Sequence, residues 1–349
     1  MSVTIADIAR EAQVSKATVS RVLNDRADGV GPETRLRVKE VMRRLDFAPS
    51  GAARDLATGK SRCIGLVIPD IIDPFAPLMI RGIEAALRGL GYGLFLCDSE
   101  NDPEHEKEQL GLLAERRVEG VILNPALSGD ASQLELLERR SVPYVLLDRG
   151  VEAGRSDPGV YTDNRAGARM GVEYLLSGGA RRLAFLNGPE GLSVSRLREA
   201  GVEDAFRAAV LDVATIARGS GDYTVESGER FVDGLLEGGR SRPTFDAVFA
   251  ANDRMAIGAV RALSRRGVDV PGTVEVVGFD DIELASLVEP PLTTVAQPAF
   301  EMGRQAARML LRAIARNRQL KKTLLLDPKL VIRGTTRHRP GERTPRPGQ

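Results

Sequence analysis

Residues 3–24 read VTIADIAREAQVSKATVSRVLN. Thr4 is a good N-cap with Asp7 as its capping-box partner, and Ile5, Ile8, Ala9 and Ala12 then recur at helical spacing. After Gln13 and Val14, Ser15 caps a second helix whose Val19, Val22 and Leu23 form an inward stripe ending near Asn24. A third helix opens at Pro32, a favoured first helical position, and carries Leu36, Val38, Val41, Met42 and Leu45. Three short helices make a small all-α bundle, and the first two, joined by a tight turn, have the form of a helix-turn-helix.

The exposed residue types suit DNA. With Val19, Val22 and Leu23 turned inward, Lys16, Ala17, Ser20 and Arg21 are left facing outward. Ser15 and Thr18 stand near a helix N-terminus, whose free N–H groups can hold phosphates. Arg21 can offer its planar fork to guanine O6 and N7, and Ala17 is small enough to let the helix approach a thymine methyl. On spacing alone, a purely structural bundle with an ordinary exposed Lys and Arg fits equally well.

Residues 48–60, APSGAARDLATGK, contain two Gly, one Pro and too little helix-capable chain to be helical alone in water, because nucleation is costly. They read as a linker that orders on binding. From Cys63 the pattern becomes short apolar runs alternating with amphipathic helices. The runs are 63–68, 92–97, 120–123, 144–147, 182–186, 247–250 and 274–278. Continuous apolar strands separated by helices imply parallel sheets covered on both faces, the doubly wound α/β class. A break near Val160 to Asp163 divides the strands into two groups. The expected architecture is a small helix-turn-helix head plus an α/β core of two doubly wound parallel-sheet subdomains. From Arg333 onward the chain is rich in Pro, Gly and Arg without apolar periodicity and reads as a disordered basic tail.

A length of 349 residues suits several domains, and 42% hydrophobic with 28% charged residues is a globular composition. With 49 Lys and Arg against 48 Asp and Glu, total charge favours neither a nucleic-acid binder nor an enzyme for acidic substrates. Segment by segment the balance is uneven: residues 1–60 carry +3, residues 61–331 carry −6 and residues 332–349 carry +4. Two Cys exclude a disulfide framework and make zinc chemistry improbable on composition. No targeting segment and no apolar run of the roughly 18 residues a membrane span needs is present, so a cytoplasmic, nucleoid-associated protein is expected. Gly89, Gly91 and Gly93 precede a strand instead of joining strand to helix, so they are not a dinucleotide loop. Neither His105 nor His338 has a nucleophile partner. No enzyme activity, cofactor or metal is expected.

The stretch VTIADIAREAQVSKATVSRVLND resembles the N-terminal motif of the lactose repressor and galactose repressor family of bacterial transcription regulators. The likeness continues through TRLRVKEVMRRLDFAP, ARDL at 53–56, RVEGVILNPA, VPYVLLDR, FAANDRMAIGAVRAL, VPGTVEVVGFDD, PPLTTVAQP and LVIRGTT, covering about residues 3–336. The resemblance implies a homodimer on a pseudo-palindromic operator and a core of the periplasmic-binding-protein type. The implied divisions are a head at 1–47, a hinge at 48–61, a first subdomain at 62–161 and 292–322, a second at 162–291 and 323–336, and a tail at 337–349. The implied DNA contacts are Thr4, Ser15, Lys16, Ala17, Thr18, Ser20, Arg21, Asn24 and Leu56, the last as a minor-groove wedge that kinks the duplex. Departures are Gly31 before the third helix and Ser50 after Pro49, both still able to cap a helix.

A cleft between two such subdomains is the usual place for a small ligand. Residue-by-residue matching implies that a sugar or sugar derivative would meet Phe75, Asp148, Arg149, Arg198, Asn252, Asp253, Asp280 and Gln297. Arg198, Asn252 and Asp280 match effector-touching positions, whereas Asp253, Arg149 and Gln297 could equally hold helix ends or the crossing between subdomains. Ala299 stands where some relatives place an aromatic ring, and the chain has no Trp. Dimerisation is expected to bury apolar side chains from helices such as 78–90 and 302–314, and no heptad array that would make a tetramer follows Thr336.

Overall fold

The computed structural model describes residues 3–23, 29–47, 60–126, 131–151, 157–237 and 243–337. The chain divides into two compact units, 1–62 and 63–349. In the first, α1 (Ile5–Glu11), α2 (Lys16–Leu23) and α3 (Pro32–Arg44) surround Ile8, Ala9, Ala12, Val19, Val22, Val38 and Val41. The Thr4 hydroxyl accepts the Asp7 N–H and the Asp7 carboxylate accepts the Thr4 N–H, so the expected capping box closes α1. Ser15 accepts the Thr18 N–H at 3.0 Å and so starts α2 as read. Leu36 departs from the expected inward pattern. It is 70% exposed, because the bundle's inward stripe on α3 is set by Val38 and Val41.

The second unit begins with β1 (Cys63–Ile68), α4 (Ala76–Leu87), β2 (Gly93–Asp98), α5 (Pro103–Glu115), β3 (Gly120–Leu123), α6 (Ser132–Arg139), β4 (Tyr144–Leu147) and β5 (Gly159–Thr162). It continues with α7 (Asn164–Ser177), β6 (Leu183–Asn187), α8 (Ser193–Ala208), β7 (Ala217–Ser220), α9 (Val225–Leu236), β8 (Ala247–Ala250), α10 (Asp253–Arg265), β9 (Glu275–Asp280), α11 (Glu283–Leu287) and β10 (Thr293–Ala296). Then come α12 (Ala299–Ala315), β11 (Thr323–Leu326) and β12 (Lys329–Val331). Two six-stranded sheets result, ordered β11-β5-β4-β3-β1-β2 and β12-β10-β9-β8-β6-β7, parallel throughout except for the β10–β12 pair. Each seven-run apolar stretch read from the sequence is a strand, and β1, β3, β4, β6, β8 and β9 are buried as strands covered on both faces must be.

Three expectations are corrected. The break at Val160 to Asp163 is itself a strand, β5, and the chain crosses between subdomains just after it. The return crossings lie later than the expected boundaries at 292 and 323. Residues Thr293–Ala296 pair with β9 in the second sheet, and Thr323–Leu326 pair with β5 in the first. Finally, Arg333 to Arg337 belong to the fold: Thr335 and Thr336 are buried, Arg333 pairs with Asp281 at 2.6 Å, and Arg337 pairs with the wholly buried Glu275. Those arginines neutralise carboxylates of the second subdomain instead of charging a tail.

The helices expected to dimerise pack first on each other. Met79, Ile83 and Leu87 of α4 and Met302, Ala306 and Leu310 of α12 are core, while Leu78 and Phe300 stay exposed. The two axes approach so closely at Gly82 and Gly303 that an added Cβ would lie 2.0 Å from the Phe300 carbonyl oxygen and 2.0 Å from the Met79 carbonyl oxygen, respectively. Gly303→Ala should therefore lower the urea midpoint of the core, at a cost of roughly 1–3 kcal/mol typical of overpacking. An unchanged midpoint would contradict this contact.

Glu106 of α5 is wholly buried, and its carboxylate accepts the Ala126 N–H at 2.7 Å. Burial pushes this carboxyl up to about 7, against that hydrogen bond and the nearby Arg149. An ordinary glutamate carboxyl titrates at 4.5, so between there and about 7 the folded chain holds the proton more tightly. Stability present below the unfolded value is lost as pH rises through the folded one, by up to about 3 kcal/mol. Glu106→Gln should flatten the fall in melting temperature between about pH 5 and about pH 7. Parallel pH profiles for the two proteins would show that Glu106 does not titrate in this window.

Candidate functional site: a recognition helix and a charged cleft

The head presents its sequence-predicted face as expected. Ser15, Lys16, Ala17 and Arg21 are exposed, Thr18 and Ser20 are half-buried, and Val19 and Val22 are inside. Arg10, Arg43 and Arg44 are paired with Asp7, Glu40 and Glu11, whereas Lys16 and Arg21, like Arg37 and Lys39, make no ion pair among the described residues. The Ser15 and Thr18 hydroxyls lie 2.9 Å apart at the start of α2, where helix N–H groups favour an anion. Thr4 is exposed, with its hydroxyl and N–H both held by Asp7, whose carboxyl those hydrogen bonds keep below its usual range. Arg37 donates to the Ala12 carbonyl at 3.1 Å and fixes α3 against the turn. Asn24 and Leu56 lie outside the described residues.

In the core, the C-terminal ends of both sheets face one narrow cavity. Phe75, Asp148 and Arg149 enter from the first subdomain, and Arg198, Asn252 and Asp280 from the second. Gln297, on the crossing that follows β10, completes the expected set. The position follows from doubly wound topology, since parallel strands release their chains on one edge. Two of the carboxylates occupy left-handed backbone, Asp148 at φ +65° after β4 and Asp280 at φ +118° ending β9. Such conformations are strained for most residues and occur where a side chain must be aimed.

Arg198 sits at the floor. It is 3% exposed, donates to Asn164 Oδ1 at 2.8 Å and to the Ala251 carbonyl, lies 3.9 Å from Asp280, and stacks on the Phe279 ring at 3.9 Å. Arg149 donates to the Pro125 and Ala126 carbonyls at 3.3 Å and lies 5.9 Å from the Tyr223 ring. Asn252 caps α10 through the Met255 N–H and donates to the Tyr223 carbonyl at 3.2 Å. Burial raises the Asp148 and Asp280 carboxyls; Arg149 and Arg198 pull Asp148 back, and Arg198 pulls Asp280 back.

Asp253 does not line the cavity. It is wholly buried behind the wall, where Oδ1 accepts the Thr294 hydroxyl at 2.5 Å and Oδ2 accepts the Ile282 N–H at 2.9 Å. Burial pushes its carboxyl up to about 7. Asp253 therefore ties α10 to β10 and to the segment after β9, the helix-end role that the sequence left open. Three lining residues were missed: Asp73, Val194 and Tyr223. Tyr223 follows β7, whose sequence ARGS lacks an apolar run because it is a half-exposed edge strand. Asp73 sits two residues before Phe75, to whose N–H it accepts at 3.1 Å, so the loop after β1 held its signal.

The comparisons agree with this arrangement. Residues 4–50 match the family described as bacterial regulatory proteins, lacI family, and residues 172–336 match a periplasmic binding protein-like domain. A ribose operon repressor of Halalkalibacterium halodurans is 35% identical over 334 residues, covering 96% of this chain and 97% of that one. The HTH-type transcriptional repressor CytR of Escherichia coli K12 is 35% identical over 340 residues, 97% of each chain. The solved structure of the lac repressor dimer bound to operator and the anti-inducer ONPF matches with a TM-score of 0.85 at 31% identity, over 96% of this chain and 99% of that one. The chain belongs to the lacI family of bacterial regulatory proteins and is a sequence-specific DNA-binding transcriptional regulator, not an enzyme.

Proposed function

We propose that the protein is a cytoplasmic repressor that works on the nucleoid, binding a pseudo-palindromic operator as a homodimer under the control of a sugar or sugar derivative held in the core cleft. The observation that carries this reading is the convergence of seven sequence-predicted residues on one cavity in a chain whose head exposes Lys16, Ala17 and Arg21 on a recognition helix. In the reading, α2 enters a major groove, Ser15 and Thr18 hold phosphates, Ser20 and Arg21 face base edges, and Thr4 and Asn24 flank them. Leu56 is the minor-groove wedge.

Large apolar side chains left at the surface support the dimer. Phe95 and Leu96 lie on the edge strand β2, Leu78 on α4, and Leu284 and Leu287 on α11. Exposed apolar surface of this kind marks protein contacts. A dimer doubles the base contacts that a head of only modest positive charge can make, so two heads supply what one cannot.

Selecting bound sequences from random DNA should enrich two related half-sites in inverted order; no enriched sequence would remove the reading. Arg21→Ala should weaken operator binding by roughly 1–3 kcal/mol and relax preference at one base pair per half-site. An equal loss on every sequence would make Arg21 a phosphate contact. Leu56→Ala should weaken operator binding much more than binding to random DNA at the same salt concentration, and equal losses would exclude the wedge.

A further inference from the structure

A carboxylate stands where α5 should be apolar. Glu106, Leu110 and Leu113 recur at helical spacing on the buried face of α5, and the first of them is wholly buried. Burial pushes its carboxyl up to about 7, against the hydrogen bond from Ala126 and the charge of Arg149. An apolar side chain there would carry no such cost, and departures from local rules of this kind mark functional positions. Glu106 does not itself line the cavity. Its reach goes through the backbone: Oε2 accepts the Ala126 N–H at 2.7 Å, and the carbonyl of that same peptide group, on Pro125, accepts Arg149 Nη1 at 3.3 Å. One peptide group therefore lies between a carboxylate and a guanidinium, and each polarises it for the other.

What that peptide holds is a strained turn. The Arg149 N–H donates to the Leu147 carbonyl at 2.7 Å across Asp148, whose φ is +65°, so both cleft residues stand on a γ-turn. With the central residue at positive φ such a turn is rare, and it persists only where its surroundings fix it. Residues 124–126 do so. The Asn124 amide donates to Asp148 Oδ2 at 3.4 Å, and Arg149 Nη1 also donates to the Ala126 carbonyl at 3.3 Å and to Asn101 Oδ1 at 3.4 Å. One nitrogen of Arg149 is thus engaged by the protein. Its Nη2 and Nε make no hydrogen bond among the described residues and remain available in the cavity that Arg149 lines.

We propose that Glu106 is a positioning residue of the cleft: through the Pro125–Ala126 peptide it fixes the Arg149 guanidinium and the turn that aims Asp148, and the Glu106 proton sets how firmly they are held. An ionised carboxylate accepts the Ala126 N–H more strongly than a neutral acid and attracts Arg149 besides, so the hold tightens as pH rises and loosens as it falls. The role in ligand binding rests on the cleft being the effector site, as proposed above. The hold on Arg149 does not.

The test begins with NMR of the full-length 15N-labelled protein, following the Ala126 amide and the Arg149 Nε–H from about pH 5 to about pH 9. Both signals should move with one midpoint at about 7, the amide downfield as pH rises. Glu106→Gln keeps the acceptor and loses the charge, so both signals should lose that midpoint; it retains His105, whose contribution is common to both proteins. Glu106→Leu removes the acceptor, and the Ala126 amide should exchange with solvent at least about 10-fold faster while the amides of β8 keep their rates. An Arg149 signal that follows neither pH nor substitution would overturn the proposal, and the Gln protein decides this even where the Leu protein fails to fold. Calorimetry with the neutral aldopentoses, aldohexoses and nucleosides then reads the cleft. A compound that binds the wild type should bind Glu106→Leu at least about 10-fold more weakly, with most of the loss recovered in Glu106→Gln. Equal affinity for all three proteins would overturn the positioning role. Binding of none of these compounds would count against the effector reading instead, and the Arg149 signals would still decide whether Glu106 holds the turn.

Discussion

Burying a guanidinium is tolerable only when nearly all of its donors are met, and the core is arranged around one such group. Arg198 comes from α8, yet its partners come from elsewhere: Asn164 at the start of α7, the Ala251 carbonyl after β8, and Asp280 and Phe279 at the end of β9. Asn164 in turn donates to the Thr162 carbonyl at 3.0 Å, and Thr162 ends a strand of the other sheet. One polar chain therefore runs from the second subdomain to β5 of the first, along the segment where the polypeptide crosses. A ligand that alters the surroundings of Arg198 acts on the point where both subdomains are joined.

The crossings explain how such an action could spread. The chain passes between sheets after β5, after β10 and after β11, so the subdomains are linked by short segments beside the cleft. Within each subdomain, close helix contacts such as Gly303 against Met79 in the first and Gly258 against Val225 in the second leave little room for internal rearrangement. The two subdomains meet along the cleft. Arg149 near Tyr223 and Arg254 4.0 Å from Asp70 are contacts across that boundary. A ligand shifts the balance of orientations only by binding one better than the other.

Much of this was legible in the sequence, for physical reasons. The seven apolar runs announced themselves because strands covered on both faces need continuous hydrophobic residues. Strands without such a run did not: β7 is ARGS, and β5, β10, β11 and β12 each carry Thr or Lys within their three or four residues. Their pairing decides which sheet they join, and that is a tertiary fact, so the expected boundaries at 292 and 323 missed it. Cleft residues at the ends of well-marked strands, such as Asp148, Asn252 and Asp280, were found. Tyr223 was missed because the strand before it has no signature. Asp253 was misplaced because neighbouring residues at a helix start look alike in sequence, while only Asn252 turns toward the cavity and Asp253 turns to Thr294. The basic tail was read too early, since the carboxylates that hold Arg333 and Arg337 lie far away in the chain.

The central claim is that the cleft and the recognition helices are two ends of one equilibrium. Linkage makes this reciprocal: whatever factor a ligand applies to operator affinity, saturating operator must apply to ligand affinity. The most direct measurement is calorimetric titration of the effector that binds the free protein, repeated on the protein saturated with its selected operator. The account predicts two dissociation constants that differ by the same factor as the operator affinities measured with and without that effector. Identical constants for free and operator-bound protein would contradict it.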